Sequence, residues 1–385
     1  MVVRKRIAFV SNMNGAPWGG SEELWAGAAL NLANEALLVA ASVHGWSPPH
    51  ERVVGLAEAG VTVQQRLSSY PLWLRAWRKI LRTSKRPEDI QATKFLSSIS
   101  PTLVVICDAA ATPSIGLVEE CVIRKLPFVT ISQSNSEQFW PDDQVASAYR
   151  KLMPAAQRCY FVSKANQRLF ENQIGCELPN AEVVWNPFNV SFDAAPLWPT
   201  LTEGGELRLA CVARLHPPSK GQDLILEALA DPAWRDRSWY LTFYGEGPMR
   251  HTIERMVERL GLLAHIKFAG FVTSVEKIWT ENHALVMSSR YEGMPLSMVE
   301  AMLCARAVLA TDVAGHSELI DDGVTGFMAD APTVPSIRRA LDRLWTRRME
   351  LQTMGRAAAK SIRLRIPRDP ARDFANRIKN IADAS

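Results

Sequence analysis

Short apolar runs alternate with amphipathic segments along the first half of the chain. The runs are rich in Val, Ile and Phe without polar alternation, which is typical of parallel strands buried on both faces. They span residues 7–10, 36–41, 61–63, 103–106, 128–131, 159–162 and 182–184. Helical patterns lie between them at 21–34, 114–124 and 164–172. Strands and helices that alternate at this spacing predict a doubly wound α/β domain.

A second alternating series follows a segment rich in turn residues. Proline and glycine cluster between Asn186 and Gly205 with little periodicity, which is typical of an interdomain linker. The predicted strands beyond it are 207–213, 239–244, 265–268, 284–287, 307–310 and 326–328. Helices are predicted to begin near Gly221, Met249, Pro295 and Val334. The sequence therefore predicts two doubly wound domains, 1–195 and 196–365, and a last segment, 366–385, that is helical over 371–378.

The composition is that of a soluble globular protein, with 47% hydrophobic and 22% charged residues. The 385 residues exceed one ordinary core, which agrees with two domains. No segment approaches the roughly 20 apolar residues of a membrane span, and residues 7–10 predict a first strand and not a signal peptide. The six cysteines form no C-x-x-C pair, so reduced thiols in a cytoplasmic protein are expected. The net charge of +4 does not by itself indicate nucleic acid binding.

Residues 289–302, S-R-Y-E-G-M-P-L-S-M-V-E-A-M, place two carboxylates around a predicted strand-to-helix turn. The start of a helix presents free N–H groups and a partial positive charge, which suit a phosphate or the hydroxyls of a sugar. Glu292 falls in the turn and Glu300 about two helical turns later. The two can therefore contact different parts of one elongated ligand. On their own they could equally be a residue at the helix start and an exposed helix residue.

Two cations follow the first predicted strand of the second domain. Arg214 ends that strand, and Lys220 lies at the next predicted helix start. Arg can bind two phosphate oxygens at once, and Lys acts as a movable point charge. The pair predicts a diphosphate site, and the alternative is two solvated loop cations.

The spacing E-x7-E, together with the order strand, A-R-L, loop and K-G, resembles the retaining GT-B glycosyltransferases of family four, group 1. The resemblance runs through most of residues 205–330 and is weaker in residues 1–200. It implies two Rossmann-like domains that face a central cleft, an acceptor domain first and a nucleotide-sugar donor domain second. It also implies that the last helix, within 366–385, crosses back to the first domain. The implied activity is hexosyl transfer with retention, in polysaccharide or glycolipid synthesis.

The resemblance assigns a role to each matching residue. Arg214 and Lys220 would hold the donor diphosphate, Glu292 the donor sugar and Glu300 the nucleotide ribose. Glu292, Arg214 and Lys220 are thus the expected catalytic residues. The further contacts expected with the donor are Gly19, Gly20, Gly245, Phe271, Val272, Gly293, Met294, Pro295 and Leu296.

The sequence departs from the family after strand 128–131, where a histidine is usual. Here the segment is I-S-Q-S-N-S-E, which leaves Gln133 and Asn135 as candidates on the acceptor side. His44, His216 and His316 are interpreted as turn or loop residues.

No metal or other cofactor is predicted. The acidic pairs Asp142-Asp143 and Asp321-Asp322 lack the D-x-D spacing that holds a divalent cation in many sugar transferases. Arg214, Lys220 and a helix N-terminus can neutralise a leaving diphosphate without metal. The predicted partners are a nucleotide-sugar donor and a sugar or lipid-linked acceptor.

Residues 73–86 carry Trp, Leu and Ile on one face of a predicted helix and Arg and Lys on the other. This pattern fits a helix that lies on an anionic membrane surface. It fits equally a domain helix with a solvated basic face, and little else in the chain supports a nucleic acid partner.

Three other functions fit parts of the sequence. A GT-B epimerase or phosphorylase would share the fold, and a sugar-nucleotide-binding protein without activity would share the binding residues. A glycoside hydrolase needs two carboxylates about 5 to 10 Å apart, and it has no use for the two cations.

Overall fold

The computed structural model describes residues 5–67, 87–109 and 113–384. The chain forms two compact units, Met1–Pro187 with Asp369–Ser385, and Phe188–Arg368. The second unit begins earlier than the boundary predicted after residue 195. The physical reason is that Arg363 donates hydrogen bonds to the carbonyl oxygens of Phe192 and Ala194, at 2.8 and 3.0 Å, so this segment belongs to the second unit.

The first unit is built on a seven-stranded parallel sheet with the order β3-β2-β1-β4-β5-β6-β7. Its strands are β1 Arg6–Ser11, β2 Leu38–His44, β3 Thr62–Arg66, β4 Leu103–Asp108, β5 Phe128–Ser132, β6 Arg158–Phe161 and β7 Ala181–Val183. Its helices are α1 Gly20–Asn34, α2 Glu51–Glu58, α3 Pro87–Ile99, α4 Ile115–Arg124, α5 Asp143–Leu152, α6 Lys164–Ile174 and α16 Pro370–Ala384. Every residue of β4 and β5 is buried, as expected of strands covered on both faces.

The last helix, α16, completes the core of the first unit. Phe374 and Ile378 pack in one cluster with Phe9 of β1 and Trp25 of α1. The approach of α16 to α1 is close, because a Cβ atom added at Gly27 would lie 2.7 Å from Cβ of Ala371.

The second unit has a six-stranded parallel sheet with the order β10-β9-β8-β11-β12-β13. Its strands are β8 Leu207–Val212, β9 Trp239–Tyr244, β10 Ile266–Gly270, β11 Ala284–Met287, β12 Ala307–Thr311 and β13 Gly326–Ala329. Its helices are α7 Pro217–Lys220, α8 Gln222–Leu229, α9 Pro232–Arg235, α10 Arg250–Arg259, α11 Val275–Glu281, α12 Leu296–Leu303, α13 His316–Leu319, α14 Val334–Thr346 and α15 Leu351–Arg365. Two short 3-10 helices, Met153–Ala155 and Arg348–Glu350, complete the two units.

The strands follow the predicted apolar runs, with shifted ends where polar residues continue a strand. β2 begins at Leu38 and not at residue 36, because Ala36, with a φ of 61°, belongs to the turn after α1. β3 continues to Arg66 through polar positions that the apolar pattern did not include. Helices α2, α3, α5 and α15 were not predicted.

The amphipathic helix predicted at residues 73–86 lies outside the described residues. In the described part of the chain, every helix is either too short or too polar to cross a membrane.

Candidate active site

The predicted diphosphate and sugar residues follow two neighbouring strands of the second unit. Arg214 and Lys220 come after β8, and Glu292 comes after β11. β8 and β11 are adjacent and parallel, so their carboxyl ends meet at the same edge of the sheet. Parallel sheets bind ligands at this edge.

A close backbone contact holds the two loops together. Gly221 has a φ of +63°, and a Cβ atom there would lie 1.9 Å from the carbonyl oxygen of Ser288. The Ser288 hydroxyl donates to the carbonyl oxygens of Gly221 and Lys220, at 2.6 and 3.1 Å. Only glycine fits at this position, and the contact fixes Lys220 beside the β11 loop.

Lys220 and Glu292 form an ion pair. The Lys220 Nζ donates to Glu292 Oε1 at 2.5 Å, and the Ser289 hydroxyl donates to the same oxygen at 2.8 Å. The Glu292 side chain is only 8% exposed and that of Lys220 is 25% exposed. Glu292 is therefore more than a residue at a helix start, and Lys220 is not a solvated loop cation.

Arg214 differs from Lys220 in its surroundings. It is exposed, and its guanidinium forms no ion pair with any described carboxylate. Its carbonyl oxygen accepts a 2.8 Å hydrogen bond from the buried Gln222 side chain, which anchors the backbone of the loop. The site thus combines a fixed backbone with a cation whose charge is available to a ligand.

Glu300 is buried in α12, with 3% of its surface exposed. This overturns the alternative that it is an exposed helix residue. Its Oε1 accepts hydrogen bonds from the backbone N–H of Asn189 at 2.9 Å and from the Asn189 side chain at 3.0 Å. Asn189 was missed by the sequence analysis, because it lies in the linker-like segment with no pattern that ties it to residue 300.

The start of α12 lies directly after Glu292. Gly293, Met294 and Pro295 are buried and Leu296 is half-buried. The N-cap residue is Pro295, and no side chain caps the helix. The first N–H groups of α12 are therefore free of side-chain caps beside the Lys220–Glu292 pair.

Two further predicted contacts lie after β9 and β10. Gly245 has a φ of +129°, and a Cβ atom there would lie 2.3 Å from the carbonyl oxygen of Ala213, next to Arg214. Phe271 follows β10 and is 78% exposed, while Val272 is half-buried. An exposed aromatic ring at this edge could stack on a nucleotide base.

The predicted site residues of the first unit offer few groups that could bind a ligand. Gly19 is the N-cap of α1 in an extended conformation that any residue adopts, and Gly20 is exposed. The Gln133 side-chain oxygen accepts from Asn186 at 2.8 Å, and the Asn135 amide donates to Gln173 at 2.9 Å. Both Gln133 and Asn135 are buried, so these contacts serve the fold.

Glu22 and His316 are two of the buried titratable groups that were not predicted. Glu22 in α1 is 4% exposed and accepts a 2.7 Å hydrogen bond from the Ser11 hydroxyl, and burial raises its pKa to about 7. His316 is fully buried, although it was interpreted as a turn or loop residue. Its Nδ1 lies 2.7 Å from the Thr311 carbonyl oxygen, and burial lowers its pKa. Burial of either residue could not be inferred from its local sequence.

The described residues contain no group of three or more His, Cys, Asp or Glu side chains arranged to hold a metal ion.

The second unit matches a known family. Residues 206–347 match the family described as Glycosyl transferases group 1. This range contains Arg214, Lys220, Glu292 and Glu300, and it agrees with the range of the sequence resemblance.

Curated relatives and solved structures extend the match. The glycosyltransferase EpsD of Bacillus subtilis (strain 168) is 31% identical over 37% of this chain and 38% of its own length. The GDP-mannose-dependent alpha-(1-6)-phosphatidylinositol monomannoside mannosyltransferase of Mycolicibacterium smegmatis is 28% identical over 55% of this chain and 59% of its own length. The chain spans 23% to 38% of the length of three of the curated relatives that it matches.

The crystal structure of Anabaena HepE in complex with UDP is similar to this chain with a TM-score of 0.73 and 17% identity, over 99% of this chain and 100% of that one. This likeness confirms the predicted GT-B fold class with its two Rossmann-like domains.

Proposed function

We propose that this chain, whose residues 206–347 match the Glycosyl transferases group 1 family, is a retaining and metal-independent glycosyltransferase. It would move a sugar from a nucleotide-diphosphate sugar to an acceptor hydroxyl, with the acceptor bound by the first unit. The observation that carries the proposal is the arrangement of Arg214, the Lys220–Glu292 pair and the start of α12 at one sheet edge.

The diphosphate is assigned to the two cations and the helix start. Arg214 is exposed and unpaired among the described residues, so its guanidinium can bind two phosphate oxygens. Lys220 has three N–H donors and gives one to Glu292, which leaves donors for a phosphate oxygen. Free N–H groups of α12 add positive potential.

The carboxylates are assigned to hydroxyl groups of the donor. Glu292 would accept from the transferred sugar, since the 2.5 Å pair with Lys220 fixes its position beside the diphosphate. Glu300 would accept from the ribose, and Asn189 holds it in place. The exposed ring of Phe271 would stack on the base.

In the proposed reaction the bond between the anomeric carbon and the diphosphate oxygen breaks, and its electron pair leaves with the diphosphate. The acceptor oxygen forms its bond on the same face, and its proton passes to the diphosphate. Configuration is thus retained without a protein nucleophile. Arg214 and Lys220 stabilise the charge that develops on the leaving group, which is the largest contribution that such a site can make.

The donor class is tested best with uridine and guanosine nucleotides. HepE was crystallised with UDP and with UDP-glucose, and the mannosyltransferase relative depends on GDP-mannose. A role in polysaccharide or glycolipid synthesis and a peripheral membrane contact through residues 73–86 belong to the same proposal.

The first experiment is thermal melting of the full chain with UDP, GDP, ADP and their common sugar conjugates, with and without EDTA. We expect one nucleotide to raise the melting temperature to the same extent in EDTA. Failure of every nucleotide would contradict the proposal, and a shift that EDTA abolishes would contradict metal independence.

Activity is tested with Glu292→Gln, which keeps the size of the side chain and removes its charge. We expect sugar transfer to fall about 100-fold, as for loss of one transition-state contact, while nucleotide binding persists. The matched control is Glu281→Gln, an exposed glutamate of the same unit. Full activity of Glu292→Gln would overturn the role of Glu292. Consumption of donor without any acceptor would indicate an epimerase or hydrolase.

A further inference from the structure

Polar side chains form a row across the carboxyl edge of the first unit's sheet. His44 of β2 pairs in register with Arg66 of β3, and Asp108 of β4 pairs with Ser132 of β5. Asn12 follows β1 and lies level with His44 and Asp108, since Val10 pairs with Ser42 and Ser11 with Cys107. The Asn12 side chain donates to Asp108 Oδ1 at 2.9 Å, which confirms this alignment.

Two members of this row are accessible. Arg66, Asp108 and Ser132 are 2%, 5% and 2% exposed, whereas Asn12 and His44 are half-buried. The Arg66 guanidinium donates to the carbonyl oxygens of Ser42 and Ser11, so its charge is used inside the unit. Neighbouring strands are about 4.8 Å apart, so one ring-sized ligand can contact both Asn12 and His44.

The accessible pair suits neutral hydroxyl groups better than anions. Partial burial and the nearby Arg66 lower the pKa of His44, so the imidazole is uncharged at neutral pH. A neutral imidazole has one donor and one acceptor, and the Asn12 amide has both kinds of group. Hydroxyl groups also donate and accept, and a sugar presents several of them around one ring.

One aromatic ring lies beside His44. The half-buried Trp46 ring is centred 5.7 Å from the His44 ring. Trp18, also half-buried, stacks on His50 with ring centres 5.4 Å apart in the neighbouring β1–α1 and β2–α2 connections. Apolar ring faces next to a few polar groups are typical of small-ligand sites, and a sugar ring has an apolar C–H face as well as hydroxyls.

We propose that Asn12, His44 and Trp46 form a subsite that binds a neutral sugar unit of the acceptor. The inference rests on the proposed transferase function and extends that function by naming the class of acceptor. Asn12 and His44 bind hydroxyls, and Trp46 packs against the C–H face. A sugar unit at the end of a free glycan and one at the end of a lipid carrier present the same hydroxyls, so both sources fit the subsite.

The test measures binding of methyl glycosides of glucose, galactose, mannose and N-acetylglucosamine to the full chain by saturation-transfer NMR. We expect at least one to bind, and its affinity to fall about tenfold in Asn12→Ala and in His44→Ala, the effect of one lost hydrogen bond. Trp46→Ala should weaken binding as well, and Trp46→Phe should restore most of it because a ring face remains.

The control variant is Asn31→Ala, which removes a half-buried asparagine whose side chain donates to the Gly27 carbonyl oxygen of α1. His44→Gln keeps a donor and an acceptor, so retained binding in this variant would assign the loss in His44→Ala to the missing hydrogen-bonding groups. The melting temperature of His44→Ala shows whether that variant is folded. Binding of no methyl glycoside, or equal binding by wild type and the Asn12 and His44 variants, would overturn the proposal.

Octyl glycosides of the same sugars distinguish the two sources. Tighter binding than the methyl glycosides, with the same dependence on Asn12 and His44, would indicate a lipid-linked sugar, and equal binding would indicate a free glycan. An affinity for octyl glycosides that is the same for every sugar, and is unchanged in the Asn12 and His44 variants, would contradict the proposal. Nucleotide melting shifts are measured on the wild type and on every variant. A wild-type chain that binds a glycoside but no nucleotide would contradict the transferase function and not the sugar subsite.

Discussion

At the carboxyl edge of the second unit's sheet the functional groups are charged: the exposed Arg214 and the Lys220–Glu292 pair. Gly221, which no other residue can replace, fixes the position of Lys220. At the same edge of the first unit's sheet the accessible groups are the neutral Asn12 and His44, beside the Trp46 ring. A diphosphate requires cations, and here Arg214 and Lys220 lie close together in the sequence. Hydroxyl groups can be bound by many kinds of polar side chain, so the carboxyl edge of the first unit's sheet has no comparable sequence signature.

The backbone contact at Gly221 gives the largest expected effect. Gly221→Ala puts a methyl group 1.9 Å from the Ser288 carbonyl oxygen at a positive φ. We expect the free energy of unfolding to fall by about 4 kcal/mol, from strain and overpacking together. Guanidinium unfolding measures this, with Gly204→Ala as the control, because a Cβ atom there has no neighbour within 4 Å. Equal stability of the two variants would show that the backbone at the carboxyl edge of the second unit's sheet can move to accommodate the methyl group.

Glu22 predicts a pH dependence that belongs to the first unit. Its pKa is about 7 in the folded protein, against an ordinary value of 4.5 for a solvated glutamate, so the folded protein keeps a proton that the unfolded chain releases. Its contribution is full below pH 4.5 and is lost as the pH rises through about 7, a loss on the order of 3 kcal/mol.

Glu22→Gln should remove this dependence, since the amide is neutral at every pH. Unfolding free energies measured in guanidinium between pH 5 and 8 compare it with wild type and with Glu58→Gln, a variant of an exposed glutamate. A pH slope that persists in Glu22→Gln would assign the titration to another group.

Substitution of the two cations, Arg214 and Lys220, should affect nucleotide binding and thermal stability differently. Arg214→Ala and Lys220→Ala should each weaken nucleotide diphosphate binding about 30-fold, as expected for one charge-assisted hydrogen bond. Only Lys220→Ala should lower the melting temperature, because it removes the ammonium group that pairs with the 8% exposed Glu292 side chain. Calorimetric titration and thermal melting measure the two effects, with the exposed Arg235→Ala as control. An equal loss of stability in both variants would remove the distinction between them.

Asn189 gives the smallest effect. Asn189→Ala removes the side-chain donor to Glu300 and keeps the backbone donor. We expect nucleotide affinity to fall about fivefold, or about 1 kcal/mol, with an unchanged kcat for transfer. Asn189→Asp should weaken binding further, since it places a second carboxylate beside Glu300. A fall in kcat at unchanged affinity would assign Asn189 to the chemical step.

The sequence predicted those parts of the fold that depend on neighbours along the chain. Buried strands such as β4 and β11 appear as apolar runs, and the start of α12 follows from Pro295. Helices α2 and α3 were not predicted.

Contacts between distant residues could not be predicted in the same way. Lys220 and Glu292 are 72 positions apart, and they meet because β11 lies beside β8 in the sheet. Asn189 and Glu300 are 111 positions apart. The row of polar side chains across the first unit's sheet, from Arg66 to Ser132, likewise depends on the strand order, which places β4 next to β1. The identities of the donor-binding candidates follow from local spacing, whereas their partners follow from topology.

The position of α16 has a consequence for biosynthesis. Phe374 and Ile378 complete a core whose other members, such as Phe9 and Trp25, are translated much earlier. All of the second unit is synthesised between them. On the ribosome the second unit can therefore finish folding first, while the first unit keeps one face of α1 uncovered until the last helix emerges. A nascent chain that stalls at Arg368 would carry a complete second unit and a first unit with an open apolar surface, the kind of surface that chaperones bind.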